Sequence, residues 1–376
     1  MSRVLYIGGF CMPDGNAAAQ RVLGIAKALK TIGYEIRFSG LKREIDKPER
    51  STAEDFEYIN YPYPTSPGQW ISYMTGRDSA IAEIKDFGPD IVILYNHPAI
   101  AFEHITKYCH KNGIKVLADI TEWYEPQGDR IFKAVKGFDV NRRMYKSHLK
   151  ADGLICISSY LTDFYRNKDI KVIEIPPLVD IEQEKWHQPT NYDPDAIHIL
   201  YAGSPGSSKD RLDLVLSTME DIVSALGRKV KFEVFGITKE QYCKTWRDDQ
   251  SHDFVIFNGR RPHKEVIKKL LGADFQIFLR PDNLPNRAGF PTKFVETVTS
   301  RSLPITNLSS NISEYLVDGQ SGFVIKSLDN DSMKNTLEKA LGMSRHDLDT
   351  LKKNLDTSLF DYRQYVNKLH KFINSL

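Results

Sequence analysis

The sequence predicts an α/β protein built from two doubly wound parallel sheets that face one another across a cleft, and three observations predict it. A chain of 376 residues is longer than a single hydrophobic core ordinarily serves and suits two domains. A strand–loop–helix–strand start occurs at the N-terminus and returns near the middle of the chain. Between helical segments lie short, uninterrupted apolar runs, the pattern of parallel strands covered on both faces.

In order, Val4-Leu-Tyr-Ile-Gly-Gly9 reads as a strand and its turn, followed by a loop through Pro13-Asp-Gly15. Ala17 to Lys30 has helical spacing at Val22, Ile25, Ala26 and Leu29, and Gly33 ends that helix. Tyr34 to Phe38 alternates as a strand. Asp90-Ile-Val-Ile-Leu-Tyr95, Ile114-Lys-Val-Leu-Ala118 and Gly153-Leu-Ile-Cys-Ile157 complete the buried runs of the first half. Ile175 to Asp180 and the polar stretch Glu182 to Pro194 read as a linker. The second start is Ile197-His-Ile-Leu-Tyr-Ala-Gly203, a loop to Lys209, an apolar helix with Leu212, Val215 and Leu216, and the strand Lys231 to Gly236. Phe254 to Phe257 and Phe275 to Leu279 are further strands. A last helix from about Asp361 to Leu376 carries Tyr365, Leu369, Phe372 and Ile373 on one face. The expected domains are 1–180 and 181–357, with 358–376 as the terminal helix.

Composition removes several classes. With 41% hydrophobic and 27% charged residues the chain is a folded globular protein rather than a disordered one. A formal charge of +2 excludes a globally basic nucleic-acid binder. No apolar run approaches the roughly 20 residues of a membrane span, and Met1 to Gly8 enters a strand directly rather than forming a signal peptide. Cys11, Cys109, Cys156 and Cys243 lack metal-site spacing and read as reduced thiols of a cytoplasmic protein.

The richest stretch follows the strand ending at Leu279. Arg280-Pro-Asp-Asn-Leu-Pro-Asn-Arg-Ala-Gly289 is a polar loop, and Phe290-Pro-Thr-Lys-Phe-Val-Glu296 opens a helix with Pro291 in its first turn. A helix start leaves backbone N–H groups unpaired and carries partial positive charge, which suits a phosphate. Arg287 and Lys293 flank it, and Glu296 lies where a carboxylate can hold neighbouring sugar hydroxyls.

Gly289-Phe-Pro-Thr-Lys-Phe-Val-Glu296, with Ser302-Leu-Pro-Ile-Thr306, Ser313-Glu-Tyr-Leu-Val-Asp-Gly319 and Gly322-Phe323 in the same order, resembles the donor-binding half of the GT-B glycosyltransferases. It is most similar to glycosyltransferase family four, retaining enzymes that use nucleotide-diphosphate sugars. The resemblance implies two Rossmann-like domains, an N-terminal acceptor side and a C-terminal donor side, with the terminal helix crossing back to the first. It implies donor contacts at Gly15, Gly203, Lys209, Arg287, Gly289, Phe290, Pro291, Thr292, Lys293 and Glu296. The sequence departs from the family at Ala288, where the first of two motif glutamates would stand, and at Ser204, where an arginine is common. Lys209 remains, and Arg287 or Arg211 could supply the missing charge.

Gly15 by itself is equally a tight turn, and the loop lacks the glycine pattern of a dinucleotide dehydrogenase. Asn96 and His97 follow one strand and Asp119 and Glu122 end the next, all candidates for the acceptor side; the family's histidine near there is replaced by Thr121 and Glu122. Strand-end carboxylates also cap helices, so both roles stay open. Asp193-Pro-Asp195 is like the metal-binding Asp-x-Asp of another glycosyltransferase fold but lies in the linker, so no essential metal or other cofactor is expected. Residues 131–150 interleave Lys133, Lys136, Arg142, Arg143, Lys146 and Lys150 with Phe132, Val135, Phe138, Met144 and Tyr145. With Gln69-Trp-Ile-Ser-Tyr-Met74 they could face an anionic lipid or a polyprenyl-linked acceptor, or form a solvated helix face.

The reading is a transferase in which Lys209 and Arg287 stabilise the leaving diphosphate and Glu122 serves in the cleft, with a nucleotide sugar and a glycan or lipid-linked glycan as partners. A nucleotide-sugar epimerase on the same fold and a non-catalytic binder of nucleotide or glycan are the rivals.

Overall fold

A computed structural model describes residues 2–126, 128–190, 192–203, 205–206, 210–247 and 252–376, with the backbone alone of Ile131. Two units emerge. The first comprises Met1–Asp180, Ala288–Phe290 and Asp361–Leu376, the second Ile181–Arg287 and Pro291–Phe360.

The first unit holds a sheet of β1 (Arg3–Gly8), β2 (Glu35–Lys42), β3 (Glu49–Ala53), β4 (Phe56–Pro62), β5 (Ile91–Tyr95), β6 (Lys115–Ile120), β7 (Gly153–Cys156) and β8 (Lys171–Glu174). Their spatial order is β3-β4-β2-β1-β5-β6-β7-β8, parallel throughout except for β3 against β4. The strand order reverses between β1 and β5, so their C-terminal ends form the crevice where such sheets bind ligands. β5 is buried at every residue, as its unbroken apolar run requires.

Helix Ala17–Thr31 is capped by Asn16, whose side chain accepts the Ala19 N–H, and buries Val22, Ile25, Ala26 and Leu29 against the sheet. Helix Tyr362–Ser375 belongs to the same core: Leu369, Phe372 and Ile373 pack with Val4, Tyr6, Ile25 and Ile93. The chain enters that helix through a bridge between Val179 and Asp361 and an ion pair of 3.0 Å from Arg363 to Asp180.

β3 and β4 were not expected. Their turn runs through Glu54 and Asp55, both at positive φ (51° and 64°), a conformation usually announced by Asn-Gly or Asp-Gly. With neither pair present, the sequence carries no turn signal there.

The second unit holds β9 (Ala196–Ala202), β10 (Lys229–Phe235), β11 (Val255–Gly259), β12 (Phe275–Phe278), β13 (Leu303–Thr306) and β14 (Phe323–Val324). The order β11-β10-β9-β12-β13-β14 is all parallel and reverses between β9 and β12. Of the stretch read as a linker, Ile175 to Asp180 belongs to the first unit and the described residues of Glu182 to Pro194 belong to this one. Trp186 is buried in a single turn, Glu184–Trp186, and Asp193 pairs with Lys229 (3.1 Å) and Lys231 (3.3 Å). Hydrogen bonds from those lysines and from the Asp195 N–H bring the Asp193 carboxyl down to about 2. It acts as a clasp on the edge of β10.

Candidate donor site

At the reversal in the second sheet, β9 ends in Tyr201 and Ala202 with Gly203 directly after, and helix Thr292–Thr299 starts after Pro291. Pro291 provides no side-chain cap, so the helix start keeps amide donors that a Ser or Asp would have engaged. Lys293 in the first turn turns inward over Gly203, where a Cβ would stand 2.5 Å from its Nζ. The ammonium forms an ion pair with Asp210, lies 3.4 Å from the Tyr201 hydroxyl and sits 4.6 Å above the Tyr201 ring. The Tyr201 hydroxyl donates to Asp210 at 3.0 Å.

Burial lowers the Lys293 pKa, and Asp210 works against that by favouring the charged form. Burial, then Asp210, pushes the Tyr201 hydroxyl above its ordinary range. The result is a cation held at the end of the central strand by one carboxylate.

One turn on, Glu296 is partly buried and pairs with His263 Nε2 at 2.9 Å. Thr292 is partly buried beside Lys293. Arg287 is exposed and held by Asp282 through two hydrogen bonds of 2.5 and 2.6 Å. Gly289, Phe290 and Pro291 are buried. Ala288 is fully buried, and its carbonyl accepts the Ser158 hydroxyl at 2.6 Å. Lys209 and Ser204 lie outside the described residues.

The first unit holds the remaining candidates. Gly15 is exposed just before the Asn16 cap; a side chain there would stand 2.6 Å from Cys11 Sγ, so local packing alone requires glycine. Asp119 is fully buried in an ion pair with Arg21 at 3.0 Å and accepts the Tyr6 hydroxyl at 2.5 Å. Its carboxylate has no atom at the surface, and it holds β6 and β1 to the first helix instead of offering a ligand site. Asn96 is locked to Thr121 by two hydrogen bonds, of 2.6 and 3.1 Å, at a backbone φ of 43° that Asn tolerates. Glu122 is exposed, and after burial its charge is the next cause that raises the Tyr124 pKa.

His97 is the candidate with unsatisfied capacity. It is buried, its ring meets Tyr73 edge-on at 5.7 Å, and its Nδ1 has no hydrogen-bond partner among the described residues. It lines a cavity of about 300 Å³ shared with Gly8, Gly40, Tyr61, Tyr73 and Asp78. Burial, then the neighbouring Arg143, lowers its pKa to about 4, so the ring is neutral near pH 7.

Residues 182–355 match the family model described as glycosyl transferases group 1. The second unit is a glycosyltransferase domain. Solved structures resemble the whole chain. Sucrose-phosphate synthase from Thermosynechococcus elongatus superposes with a TM-score of 0.73 at 13% identity, covering 100% of this chain and 99% of that one. The catalytic domain of starch synthase IV from Arabidopsis thaliana, bound to ADP and acarbose, gives 0.71 at 12% with the same coverage. Anabaena HepE in complex with UDP and glucose gives 0.67 at 11%, covering 100% of both chains. At such identity the likeness concerns the fold, which is GT-B. Comparison with curated protein sequences gives no match.

Within this glycosyltransferase the sequence motif did not single out Tyr201, Asp210 or His263. Each acts by satisfying a residue that the motif did contain: Tyr201 and Asp210 hold Lys293, and His263 holds Glu296. Their only signal is position, at the end of a central strand, in the loop after it, and at the start of helix His263–Leu271. Among the described residues no group of three or more His, Cys, Asp or Glu is placed to hold a metal ion.

Proposed function

We propose that the protein transfers a sugar, with retention of anomeric configuration, from a nucleotide diphosphate to a glycan or polyprenyl-linked glycan. The observation that carries the donor half is the partly buried Lys293–Asp210 pair over Gly203, at an uncapped helix start. A diphosphate seated there would meet backbone donors and a preorganised ammonium, and its charge would be stabilised as it leaves without a metal or other cofactor. Lys209 and Arg287 are the further cations of this reading, Arg287 after release from Asp282. Glu296 would hold the ribose hydroxyls, exchanging its His263 contact for them. Structures of like fold are described with UDP or ADP bound, which supports a nucleotide as donor carrier.

The cavity beside His97 is the acceptor-side counterpart in the first unit. A neutral imidazole with an unsatisfied nitrogen, in a hollow lined by both polar and apolar side chains, suits a hydroxyl. The protein would work in the cytoplasm, with residues 131–150 as the segment through which it meets a membrane.

Thermal shift with UDP, GDP, ADP and dTDP, followed by sugar conjugates of the preferred base, tests the donor reading. A ligand at about 100 times its Kd stabilises the native state by about 2.7 kcal/mol. A selective shift that Lys293→Ala and Glu296→Ala each diminish is the expected result; no shift with any nucleotide would remove the donor site. A non-catalytic binder is the second reading, favoured by the buried methyl group of Ala288 where the family carries a carboxylate. Release of free sugar from a bound donor would set that reading aside.

A further inference from the structure

Helix Arg130–Arg142 presents Phe132, Val135 and Phe138 to solvent at 53%, 50% and 57% exposure, and Tyr145 in the turn beyond is 50% exposed. Spacing of three residues puts the first three along one side of the helix. Exposed large apolar side chains repeated in this way are unusual on a surface meant only for water.

The exposed charges along the helix and the turn beyond it are mainly positive. Arg130, Lys133, Lys146 and Lys150 are exposed, and Lys136 lies against the rings of Tyr124 and Phe132 at 5.0 and 5.8 Å. The carboxylates nearby are occupied. Asp129 caps the helix at the Phe132 N–H (2.8 Å), Asp139 accepts the Ala99 N–H (2.7 Å), and Glu103 takes Arg142 and Lys150. Lys133 and Lys146 have no ion-pair partner among the described residues.

We infer that this helix docks on the surface of an anionic lipid bilayer, with Phe132, Val135 and Phe138 entering the headgroup boundary and Lys133, Lys136 and Lys146 meeting lipid phosphates. Charge selects this occupant: a second copy would bring two mainly positive stripes together, whereas an anionic leaflet complements both the apolar row and its cations. The inference deepens the transferase reading, since a polyprenyl-linked acceptor lies in such a surface. Lipid binding is measured without donor or acceptor, so either idea can fail alone.

The purified chain is floated with vesicles of phosphatidylcholine, with and without phosphatidylglycerol. Binding should require the anionic lipid and weaken as salt rises. Phe132→Ser with Phe138→Ser should abolish it. Lys133→Glu with Lys136→Glu should weaken it by about tenfold or more. Both variants should keep the wild-type melting temperature. Equal binding to neutral vesicles, no binding to anionic ones, or retention by the folded Phe132→Ser/Phe138→Ser variant overturns the inference. So does sedimentation showing a dimer that those two substitutions dissolve.

Discussion

Lys293 and Asp210 together make the sharpest residue-scale case. Asp210 keeps only 8% of its side chain exposed, and Lys293 only 19%. Lys293→Met would leave that carboxylate buried with the Tyr201 hydroxyl as its remaining side-chain donor among the described residues, a loss of about 3–5 kcal/mol. Adding Asp210→Asn should restore most of the stability in urea titration but none of the nucleotide affinity, which separates the structural role of the pair from the binding role of the cation. A single variant as stable as wild type would show that the pair contributes little. Lys293 could be named from sequence because the helix-start motif contains it. Asp210 could not, because an Asp after a Ser-rich loop has no pattern; only the fold carries it back over the strand end.

Histidine burial makes a second residue-scale prediction, about pH. His97 titrates near 4, and burial also holds His148 well below its ordinary value. The unfolded chain binds protons at both sites near pH 6.5 while the native state does not, so stability falls as pH drops below about 6.5. For His97 the loss continues to about pH 4 and reaches about 3 kcal/mol. His97→Gln should lower the slope of stability against pH in that window by up to about 1.4 kcal/mol per unit, with the His148 share left in place. An unchanged slope, measured by denaturation at pH 7, 6 and 5, would mean His97 is not held neutral.

At the scale of elements, the close approach of Gly203 after β9 and Gly236 after β10 bears on whether the proposed donor site can form. Gly236 follows β10 at a φ of 102°, and a Cβ there would strike the carbonyl of Gly203. Gly33 ends the first helix at a similar φ, 93°, with open space around it. Gly33→Ala should therefore show backbone strain alone, about 1 kcal/mol. Gly236→Ala should lose more, about 1–3 kcal/mol of strain plus the displacement of Gly203. It should also weaken nucleotide binding, because Gly203 is where Lys293 rests. Equal losses in the two variants would mean that the approach of the two loops is not tight. The elements most legible in the sequence were those whose physics is local: apolar runs such as Ile91 to Tyr95 and helices with a cap and a stripe. β3 escaped because its turn uses Glu54 and Asp55. The clasp at Asp193 escaped because its partners, Lys229 and Lys231, lie on another strand.

For the molecule as a whole, the end of the chain completes the core that its beginning starts. Leu369, Phe372 and Ile373 are buried in the cluster that holds Val4, Tyr6 and Ile25. Gly153 at the start of β7 is bare for the same reason, since a Cβ there would stand 2.7 Å from Leu376 and 2.8 Å from Phe372. The terminal stripe and the strand Gly153 to Ile157 could both be read from the sequence, while the need for a bare residue at the start of that strand could not. Phe372→Ala should remove about 3–5 kcal/mol, and the loss belongs to the unit whose core the ring fills. Hydrogen exchange should then show faster opening in β1, β5 and helix Ala17–Thr31, with amides of β9 and β10 close to wild type. The variant should keep its nucleotide-induced shift in β9 and in helix Thr292–Thr299, because every described contact of Lys293 lies in the second unit. Loss of protection spread evenly over both sheets would show that the terminal helix supports the whole chain rather than the first unit.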